Sequence, residues 1–185
     1  MRDHIDNIWF ICITNSFTIM EQVSLPDGLL MRRLVPDDYY KEYLQLLSQL
    51  TTVGNISYKD FVKQVEYFKE RPSEYFHLVI EDTINGIIVA AGTVLMEKKF
   101  IHGLSSVAHL EDVVTHKDYR GKRLGIYMMQ ALKAIGKTMG AYKVILDCND
   151  KNVPFYEKAI NMKVKENQMV YYYEETRLDL VKSKL

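Results

Sequence analysis

The stretch that decides the fold is VVTHKDYRGKRLG, residues 113–125. It begins as a β-branched apolar run, passes through a basic loop, and ends where an amphipathic helix starts. The amino end of a helix carries a partial positive charge and unpaired N–H groups, so it attracts anions. Gly121 has no side chain to keep an anion away from the backbone, and Arg120, Lys122 and Arg123 add charge that suits a polyphosphate. The pattern indicates a phosphate-binding loop, although a solvated basic turn has the same composition.

The rest of the chain predicts strands and helices in alternation around this loop. Hydrophobic periodicity, a capping box at 57–60 and an Asn85-Gly86 turn mark the boundaries. The predicted order is β-α-α-β-β-β-α-β-α-β, which is typical of a mixed α/β domain with a central sheet flanked by helices. The predicted strands are residues 29–35, 75–81, 87–96, 107–115, 142–146 and 169–173. The predicted helices are 36–50, one starting at 57, one from 124 to the glycines at 136 and 140, and 153–159, with a polar loop over 97–106.

Composition places the chain among ordinary globular proteins. Its 185 residues are 48% hydrophobic and 26% charged, which suits one domain with a core. The net charge of zero argues against a broad nucleic-acid surface, which needs a basic face. Cys12 and Cys148 form no CxxC pair, so a reducing, cytoplasmic setting fits. The apolar residues 8–14 are too few to span a bilayer. We expect an N-terminal extension over 1–23, with its role left open, a single domain over 24–185, and no nucleic-acid or membrane partner.

The basic loop resembles the acyl-CoA signature of the GNAT superfamily, Gln/Arg-x-x-Gly-x-Gly/Ala. Arg120 stands at its first position and Gly125 at its last, while Arg123 replaces the middle glycine. The resemblance implies a GNAT fold in which this loop grips the pyrophosphate of acetyl-CoA, the co-substrate, and the preceding strand pairs with the pantetheine amides. The implied coenzyme contacts are Val113, Val114, Thr115, Arg120, Gly121, Lys122, Arg123, Leu124, Gly125, Ile126, Asn152, Tyr156, Glu157 and Lys158.

Further segments resemble one GNAT subfamily, the glucosamine-6-phosphate N-acetyltransferases, and occur in the same order. They include Leu-Thr-Thr-Val-Gly at 50–54, Lys-Phe-Ile-His at 99–102, His-Leu-Glu-Asp-Val at 109–113 and Asn-Val-Pro-Phe-Tyr-Glu-Lys at 152–158, and the similarity covers residues 24–170. It implies acetyl transfer from acetyl-CoA to the amine of D-glucosamine 6-phosphate by direct attack, without an acyl-enzyme. The product would be N-acetyl-D-glucosamine 6-phosphate for UDP-N-acetylglucosamine synthesis. It also implies a homodimer whose sugar sites borrow residues across the interface.

Acetyl transfer needs a neutral amine beside the thioester, a stabilised oxyanion and a proton for the departing thiolate. Glu111 and Asp112 end a predicted strand before the basic loop, where one carboxylate could take the ammonium proton and the other hydrogen-bond the sugar. Asp147 ends the neighbouring predicted strand and could hold the amine. In the resembled subfamily, the tyrosine of Phe-Tyr-Glu-Lys lies by the coenzyme sulfur, which implies that Tyr156 protonates the thiolate. Without the flanking motifs, the acids could equally be solvated strand ends and Tyr156 a half-buried aromatic residue.

The same resemblance assigns residues to the sugar phosphate, for which hydroxyl, ammonium and imidazole groups are suitable donors. One position departs from the subfamily, whose substrate-holding arginine in the last strand falls on Tyr171 here. A phenol cannot offer a bidentate cationic fork, and Arg177 is a candidate to supply the missing charge. The implied substrate contacts are Thr51, Lys99, Phe100, Ile101, His102, Glu111, Asp112, Val113, Tyr142, Lys143 and Asp147.

Other interpretations of these residues are weaker or stay open. A metal site built from His109, Glu111, Asp112 and His116 fits no common ligand spacing, so we expect no metal. Cys148 has no base adjacent in the sequence, and a small buried residue is the better interpretation than a nucleophile. Two rival functions stay open. One is an acetyltransferase for another amine, such as another amino sugar, a polyamine or a lysine side chain, and the other is a non-catalytic acetyl-CoA-binding module.

Overall fold

The computed structural model describes residues 10–12, 17–19 and 25–171. Two short strands, β1 (Phe10–Cys12) and β2 (Phe17–Ile19), pair antiparallel near the amino terminus. The rest of the predicted extension lies outside the described residues, and so does the predicted boundary between residues 23 and 24. The division of the chain at that point therefore stays a prediction.

A second sheet of five strands forms the centre of the protein, in the order β3-β4-β5-β6-β7. Its strands are β3 (Leu29–Arg33), β4 (Tyr75–Asp82), β5 (Ile87–Lys98), β6 (Ser106–Thr115) and β7 (Ala141–Ile145). Strands β3 to β6 are antiparallel to their neighbours, whereas β6 and β7 are parallel. The sheet is mixed, and the predicted mixed α/β class is confirmed.

Helices cover both faces of this sheet. They are α1 (Tyr43–Ser48), α2 (Tyr58–Lys69), α3 (Ile101–Leu104), α4 (Leu124–Thr138) and α5 (Val153–Ile160). On one face, α4 buries Met128 and Leu132 against the strands, while α1 and α2 bury Leu46 and Phe61 on the other. Packing under α4 is close, because a Cβ atom on Gly92 of β5 would lie 2.7 Å from Leu132 Cδ1. Glycine at this position lets α4 lie directly on the sheet.

The first predicted helix, residues 36–50, is in fact two pieces. A 3-10 helix over Pro36–Tyr40 precedes α1, and Glu42 between them has a left-handed backbone with φ 61°. The break has a tertiary cause, because the Lys41 carbonyl oxygen accepts a hydrogen bond from Ile88 N of β5 at 2.8 Å. A carbonyl turned toward the sheet points away from the helix axis. The prediction of one continuous helix was therefore wrong.

Two boundaries that were predicted from neighbouring residues, a helix cap and a turn, are confirmed. Ser57 Oγ accepts a hydrogen bond from Asp60 N at 3.2 Å and begins α2, and the predicted turn at Asn85-Gly86 joins β4 to β5. The predicted polar loop over 97–106 was wrong in part, because β5 extends to Lys98 and α3 follows it. A hydrogen bond from Lys99 N to Ser105 O at 3.0 Å closes this connection.

The predicted last strand, residues 169–173, is not confirmed. Residues 161–171 form neither helix nor strand, and Tyr172 and Tyr173 lie outside the described residues. Met169 is 95% exposed. A strand needs a neighbouring edge with which to exchange hydrogen bonds, and within residues 25–171 no segment pairs with the outer edge of β7. The aromatic β-formers at 171–173 favoured a strand, and the prediction was wrong for residues 169–171, which belong to no sheet.

Candidate active site

A β-bulge interrupts β6 where its predicted catalytic acids lie. Thr93 of β5 pairs with Glu111 and Ala91 pairs with Val114, so three steps along β6 match two along β5. Asp112 inside the bulge has φ 51°. The extra residue reverses the face of the sheet toward which the following side chains point. As a result, Leu110 before the bulge packs under α4, whereas Val114 after it packs under α1 and α2. The bulge aims the backbone and side chains of this segment away from the regular ladder.

A gap opens next to the bulge between β6 and β7. The two strands pair from Ser106↔Ala141 to His109↔Ile145, where β7 ends, although β6 continues to Thr115. Within the described part of the chain, no strand pairs with this edge of β6 beyond His109. The backbone donors and acceptors of residues 110–115 on that edge are therefore available to an extended ligand. This is where the sequence predicts a split between residues 107–115 and 142–148.

The basic loop, residues 116–123, leads from β6 to the start of α4. Gly121 has φ 81° with open space where a Cβ would stand, and Arg123 has φ 64°. Arg123 replaces the usual glycine of the resembled signature at a strain of about 1–2 kcal/mol for a left-handed non-glycine residue. Its side chain caps no N–H group of α4. The first N–H groups of the helix are thus free of a side-chain cap and can meet an anion.

The start of α4 packs tightly on α5. A Cβ atom on Gly125 would lie 3.1 Å from Phe155 Cζ and 3.5 Å from Thr115 Oγ1. Leu124 is buried, Ile126 is partly buried, and the side chains of Arg120, Lys122 and Arg123 lie in solvent. The predicted coenzyme residues of this segment thus divide into two groups. The buried residues hold the start of α4 in place, and the exposed basic residues present positive charge to solvent.

The three predicted catalytic carboxylates come together at the mouth of the gap, and we call Glu111, Asp112 and Asp147 the acidic cluster. Burial raises the pKa of Glu111, and the negative charges of Asp112 and Asp147 raise it further, while His109 opposes them. Asp147 Oδ2 accepts a hydrogen bond from Gln168 Nε2 at 2.8 Å. A carboxylate with a raised pKa is a stronger base than a solvated one.

A chain of polar contacts leads from the acidic cluster to a predicted phosphate ligand. His109 Nε2 lies 2.9 Å from Glu97 Oε2, and His109 Nδ1 lies 4.0 Å from Glu111 Oε1. Lys99 Nζ forms an ion pair with Glu97 Oε1. We call Lys99, Glu97, His109 and Glu111 the polar row. Sequence reasoning missed Glu97, because only the register of β5 on β6 places it beside His109.

Tyr156 lies half-buried on α5, packed against the core between the sheet and α4, which we call the main core. Burial raises the pKa of its hydroxyl, and the neighbouring Cys148 thiolate would raise it further. The phenol therefore stays protonated and can donate a proton. Cys148 itself is exposed, so the prediction of a small buried residue was wrong, because β7 ends at Ile145 and the chain has left the core. The other predicted coenzyme residues here, Asn152, Glu157 and Lys158, are exposed.

The predicted sugar residues are only partly brought together. The His102 and Tyr142 rings lie 4.6 Å apart, and Lys143 Nζ lies 5.7 Å from the Tyr142 ring. Phe100, Ile101 and Thr51 are exposed. Tyr171 is 79% exposed, and Arg177 lies outside the described residues.

Residues 10–12, 17–19 and 25–171 lack two features that other kinds of function require. No group of three or more His, Cys, Asp or Glu side chains there is arranged to hold a metal ion. Among the same residues no helix has the length and apolar character that a membrane span requires.

Comparison with known proteins gives a consistent match. Residues 35–162 match the model of the acetyltransferase (GNAT) family. The chain is 43% identical over 135 residues to glucosamine 6-phosphate N-acetyltransferase of Candida albicans, a match that covers 73% of this chain and 90% of the relative. It is 40% identical over 133 residues to glucosamine 6-phosphate N-acetyltransferase 1 of Dictyostelium discoideum, with 72% and 84% covered.

A solved structure shares the fold over most of this chain. The crystal structure of glucosamine-6-phosphate N-acetyltransferase from Arabidopsis thaliana superposes with a TM-score of 0.77 at 37% identity, covering 80% of this chain and all of that one. An aminoglycoside acetyltransferase from a soil metagenome superposes with a TM-score of 0.61 at 15% identity, covering 82% of this chain and 98% of that chain. The second likeness concerns the fold alone.

Proposed function

The chain belongs to the GNAT acetyltransferase family, and from that premise we propose that it transfers the acetyl group of acetyl-CoA to the amine of D-glucosamine 6-phosphate. One observation supports the proposal most strongly, namely the acidic cluster at the mouth of an open gap between β6 and β7. Relatives at 38–43% identity that are named for this reaction support the choice of amine. The product is N-acetyl-D-glucosamine 6-phosphate, the precursor of UDP-N-acetylglucosamine.

The residues present fit acetyl-CoA. The uncapped start of α4 and the open space beside Gly121 suit the pyrophosphate, and Arg120, Lys122 and Arg123 would neutralise its charge. The unpaired edge of β6 at 113–115 suits the pantetheine amides, which hydrogen-bond as a further strand would. In this role the coenzyme takes the place beside β6 that a longer β7 would otherwise fill.

The acidic cluster and Tyr156 divide the proton transfers. The amine of the sugar is an ammonium ion in part at neutral pH, and Glu111, whose pKa is raised by burial and by its acidic neighbours, would accept its proton. The amine nitrogen then bonds to the acetyl carbon, the carbon–sulfur bond breaks, and the nitrogen releases its second proton to solvent. The sulfur leaves as a thiolate, and Tyr156, whose raised pKa keeps its hydroxyl protonated, would donate a hydrogen bond and then a proton to it, which solvent replaces. Asp112 and Asp147 would hold the amine and hydroxyl groups of the sugar.

Phosphate recognition falls to the far end of the polar row. Lys99, His102 and Lys143 would donate to the phosphate, with Tyr142 and Thr51 as neutral donors. Lys99 is ion-paired with Glu97, so the sugar phosphate competes with Glu97 for this ammonium group. The charge that Tyr171 cannot supply is a reason to expect help from a second subunit, and we propose a homodimer on this ground and on the resemblance. The two cysteines without a CxxC pair support a cytoplasmic location.

Thiol release from acetyl-CoA tests the proposed function. Glucosamine 6-phosphate is compared with glucosamine, spermidine and a lysine peptide at the same concentration. We expect turnover with glucosamine 6-phosphate alone. Glucosamine is the matched control, since it has the same amine without the phosphate. Equal turnover with glucosamine, or turnover only with spermidine or the peptide, would show that another amine is the substrate. No turnover with any of the four would favour a non-catalytic binding module.

A further inference from the structure

The basic loop contains one turn of 3-10 helix, Lys117–Tyr119, in which Tyr119 N donates to His116 O at 2.9 Å. After this turn its internal hydrogen bonds are long, Arg120 N to Lys117 O at 3.3 Å and Lys122 N to Tyr119 O at 3.4 Å. Gly121 and Arg123 both have a positive φ. A loop that must present N–H groups to a pyrophosphate needs a fixed shape, because a mobile loop loses entropy on binding. Its shape therefore depends on contacts with other elements.

Tyr119 anchors the loop to the turn between β4 and β5. Its ring is partly buried against the main core, and its hydroxyl donates a hydrogen bond to Asp82 Oδ2 at 2.5 Å. Lys122 Nζ lies over the same ring, 4.3 Å from its centre. The Tyr119 side chain thus contacts the core, the Asp82 carboxylate and the ammonium group of Lys122 at the same time.

Asp82 is itself rigidly held. It is 7% exposed at the end of β4, and its Oδ1 accepts hydrogen bonds from Ile84 N at 2.9 Å and Asn85 N at 3.0 Å. The Asn85 amide donates to Oδ2 at 2.8 Å. The Tyr119 hydroxyl and these donors lower the pKa of Asp82 to about 2, so it is charged at neutral pH. Hydrogen bonds to a charged acceptor are stronger than neutral ones.

A second contact holds the loop from the opposite side of the sheet. Gln49, at the end of α1, accepts a hydrogen bond from Lys117 N through its Oε1 at 2.9 Å. Gln49 stands two residues before Thr51, a predicted sugar contact. The basic loop is therefore held between the β4–β5 turn and α1.

We propose that Asp82 and Tyr119 are positioning residues for the coenzyme, and that their hydrogen bond sets the shape in which the basic loop grips the pyrophosphate. This inference rests on the proposed use of acetyl-CoA and not on the choice of amine. Neither residue touches the reacting atoms. The bond acts on coenzyme affinity, while the acidic cluster acts on the chemistry.

The variant Tyr119→Phe isolates the hydroxyl, because the phenylalanine ring keeps the core contact and the contact with Lys122. We expect the KM for acetyl-CoA and the Kd for CoA to rise about 5- to 10-fold, since a hydrogen bond to a charged group is lost and part of that loss reaches the loop. The kcat and the KM for glucosamine 6-phosphate should change less than about twofold. Tyr39→Phe is the matched control, because its hydroxyl donates to Ile56 O at 3.2 Å, away from the basic loop.

S-acetylpantetheine separates a positioning role from a general effect on folding. This donor has the reacting thioester but no pyrophosphate, so wild type and Tyr119→Phe should use it equally well. The variant Asp82→Asn removes the charge and replaces one of two accepting oxygens with an NH2 donor, although each oxygen accepts two hydrogen bonds in the wild type. We expect a loss of CoA affinity at least as large from it. Unchanged CoA affinity in Tyr119→Phe, or equal losses with both donors, would overturn the proposal. Should Tyr119→Phe fail to fold, Asp82→Asn carries the same comparison.

Calorimetry with CoA needs no amine, so it keeps the two proposals apart. Weaker CoA binding by Tyr119→Phe supports the positioning role even if the wild type acetylates no glucosamine 6-phosphate. Turnover of that sugar with identical CoA binding in both proteins would support the proposed function and overturn the positioning role.

Discussion

Two groups of charges lie on the same sheet and are built in opposite ways. Beside the β3–β4 pair, Arg32 of β3 donates to Glu81 of β4 and to Asp38 of the 3-10 helix at 2.6 Å each, and Lys41 Nζ lies 2.5 Å from Glu81 Oε1. We call these four residues the ion network, in which two cations meet two carboxylates. The acidic cluster at the mouth of the gap instead places three carboxylates together, with the His109 ring beside Glu111.

The pKa shifts of the two groups have opposite signs. Burial alone would raise the pKa of Glu81, but hydrogen bonds from Lys41 and Arg32 outweigh it, and the pKa is lowered. Burial raises the pKa of Glu111, and its acidic neighbours add to the rise. In the ion network, each carboxylate has a cation beside it, and the pairing stabilises the fold. In the acidic cluster, the carboxylates repel one another, so Glu111 takes up a proton more readily.

The largest expected effect is on stability, in the ion network. Asp38 has no exposed surface, and Asp38→Asn leaves Arg32 with one carboxylate instead of two. We expect the free energy of unfolding to fall by about 3 kcal/mol, the lower end for breaking a buried ion pair. Urea denaturation measures this, with the exposed neighbour Asp37→Asn as control. Equal stabilities of the two variants would contradict the role of the network, and kcat of the folded protein should stay near wild type.

The acidic cluster should show the reverse pattern. We expect Glu111→Gln to lower kcat roughly 100-fold, as removal of a general base does, without loss of stability. Steady-state thiol release measures it, and Glu74→Gln, an exposed position, is the control. A kcat within twofold of wild type would assign the proton transfer to another group of the cluster.

Tyr156→Phe should lower kcat by a smaller factor, about 10-fold, because water can also protonate a thiolate. The KM for acetyl-CoA should change little, since the ring still packs on the core. Tyr75→Phe, in an aromatic cluster on α2 and β4, controls for the loss of a hydroxyl. An unchanged kcat would remove Tyr156 from the mechanism.

The pH dependence of stability should differ in sign between the two groups. The lowered pKa of Glu81 means that its contribution is present above the ordinary glutamate pKa and is lost as the pH falls through the lowered value. The cost of Glu81→Gln should therefore shrink in acid. The raised pKa of Glu111 means that its ionisation destabilises the fold, so Glu111→Gln should gain stability at neutral pH and lose that gain in acid. Thermal melts from pH 7 down to acid measure both, and parallel pH curves for the two variants would refute the contrast.

The smallest effect belongs to an exposed pair. Lys69 Nζ lies 3.3 Å from Glu66 Oε2, and the lysine side chain is 70% exposed. We expect Lys69→Gln to change the free energy of unfolding by less than about 0.5 kcal/mol, because exposed ion pairs are weak. Urea denaturation at low and high salt measures it. A loss as large as that of Asp38→Asn would show that burial does not separate the two kinds of pair.

Local signals in the sequence predicted well wherever the cause is local. The N-cap at Ser57, which is the half of the predicted capping box that forms, the turn at Asn85-Gly86 and the strand–loop–helix at residues 113–125 each depend on residues a few positions apart. The break at Glu42 and the missing strand at 169–171 depend on distant edges of the sheet, which no local pattern contains. Cys148 was misjudged for the same kind of reason, because the point where β7 leaves the core depends on its neighbours.

The sequence by itself determined the family, the mixed α/β class and the types of residue at the candidate site, because these follow from short motifs in a fixed order. Only the tertiary structure decided which of them meet. The register of β5 on β6 placed Glu97 beside His109, the bulge at Asp112 turned the strand, and the Asp82–Tyr119 bond joined residues 37 positions apart. The physical reason is that pairing across a sheet joins residues whose separation along the chain carries no signal of their contact.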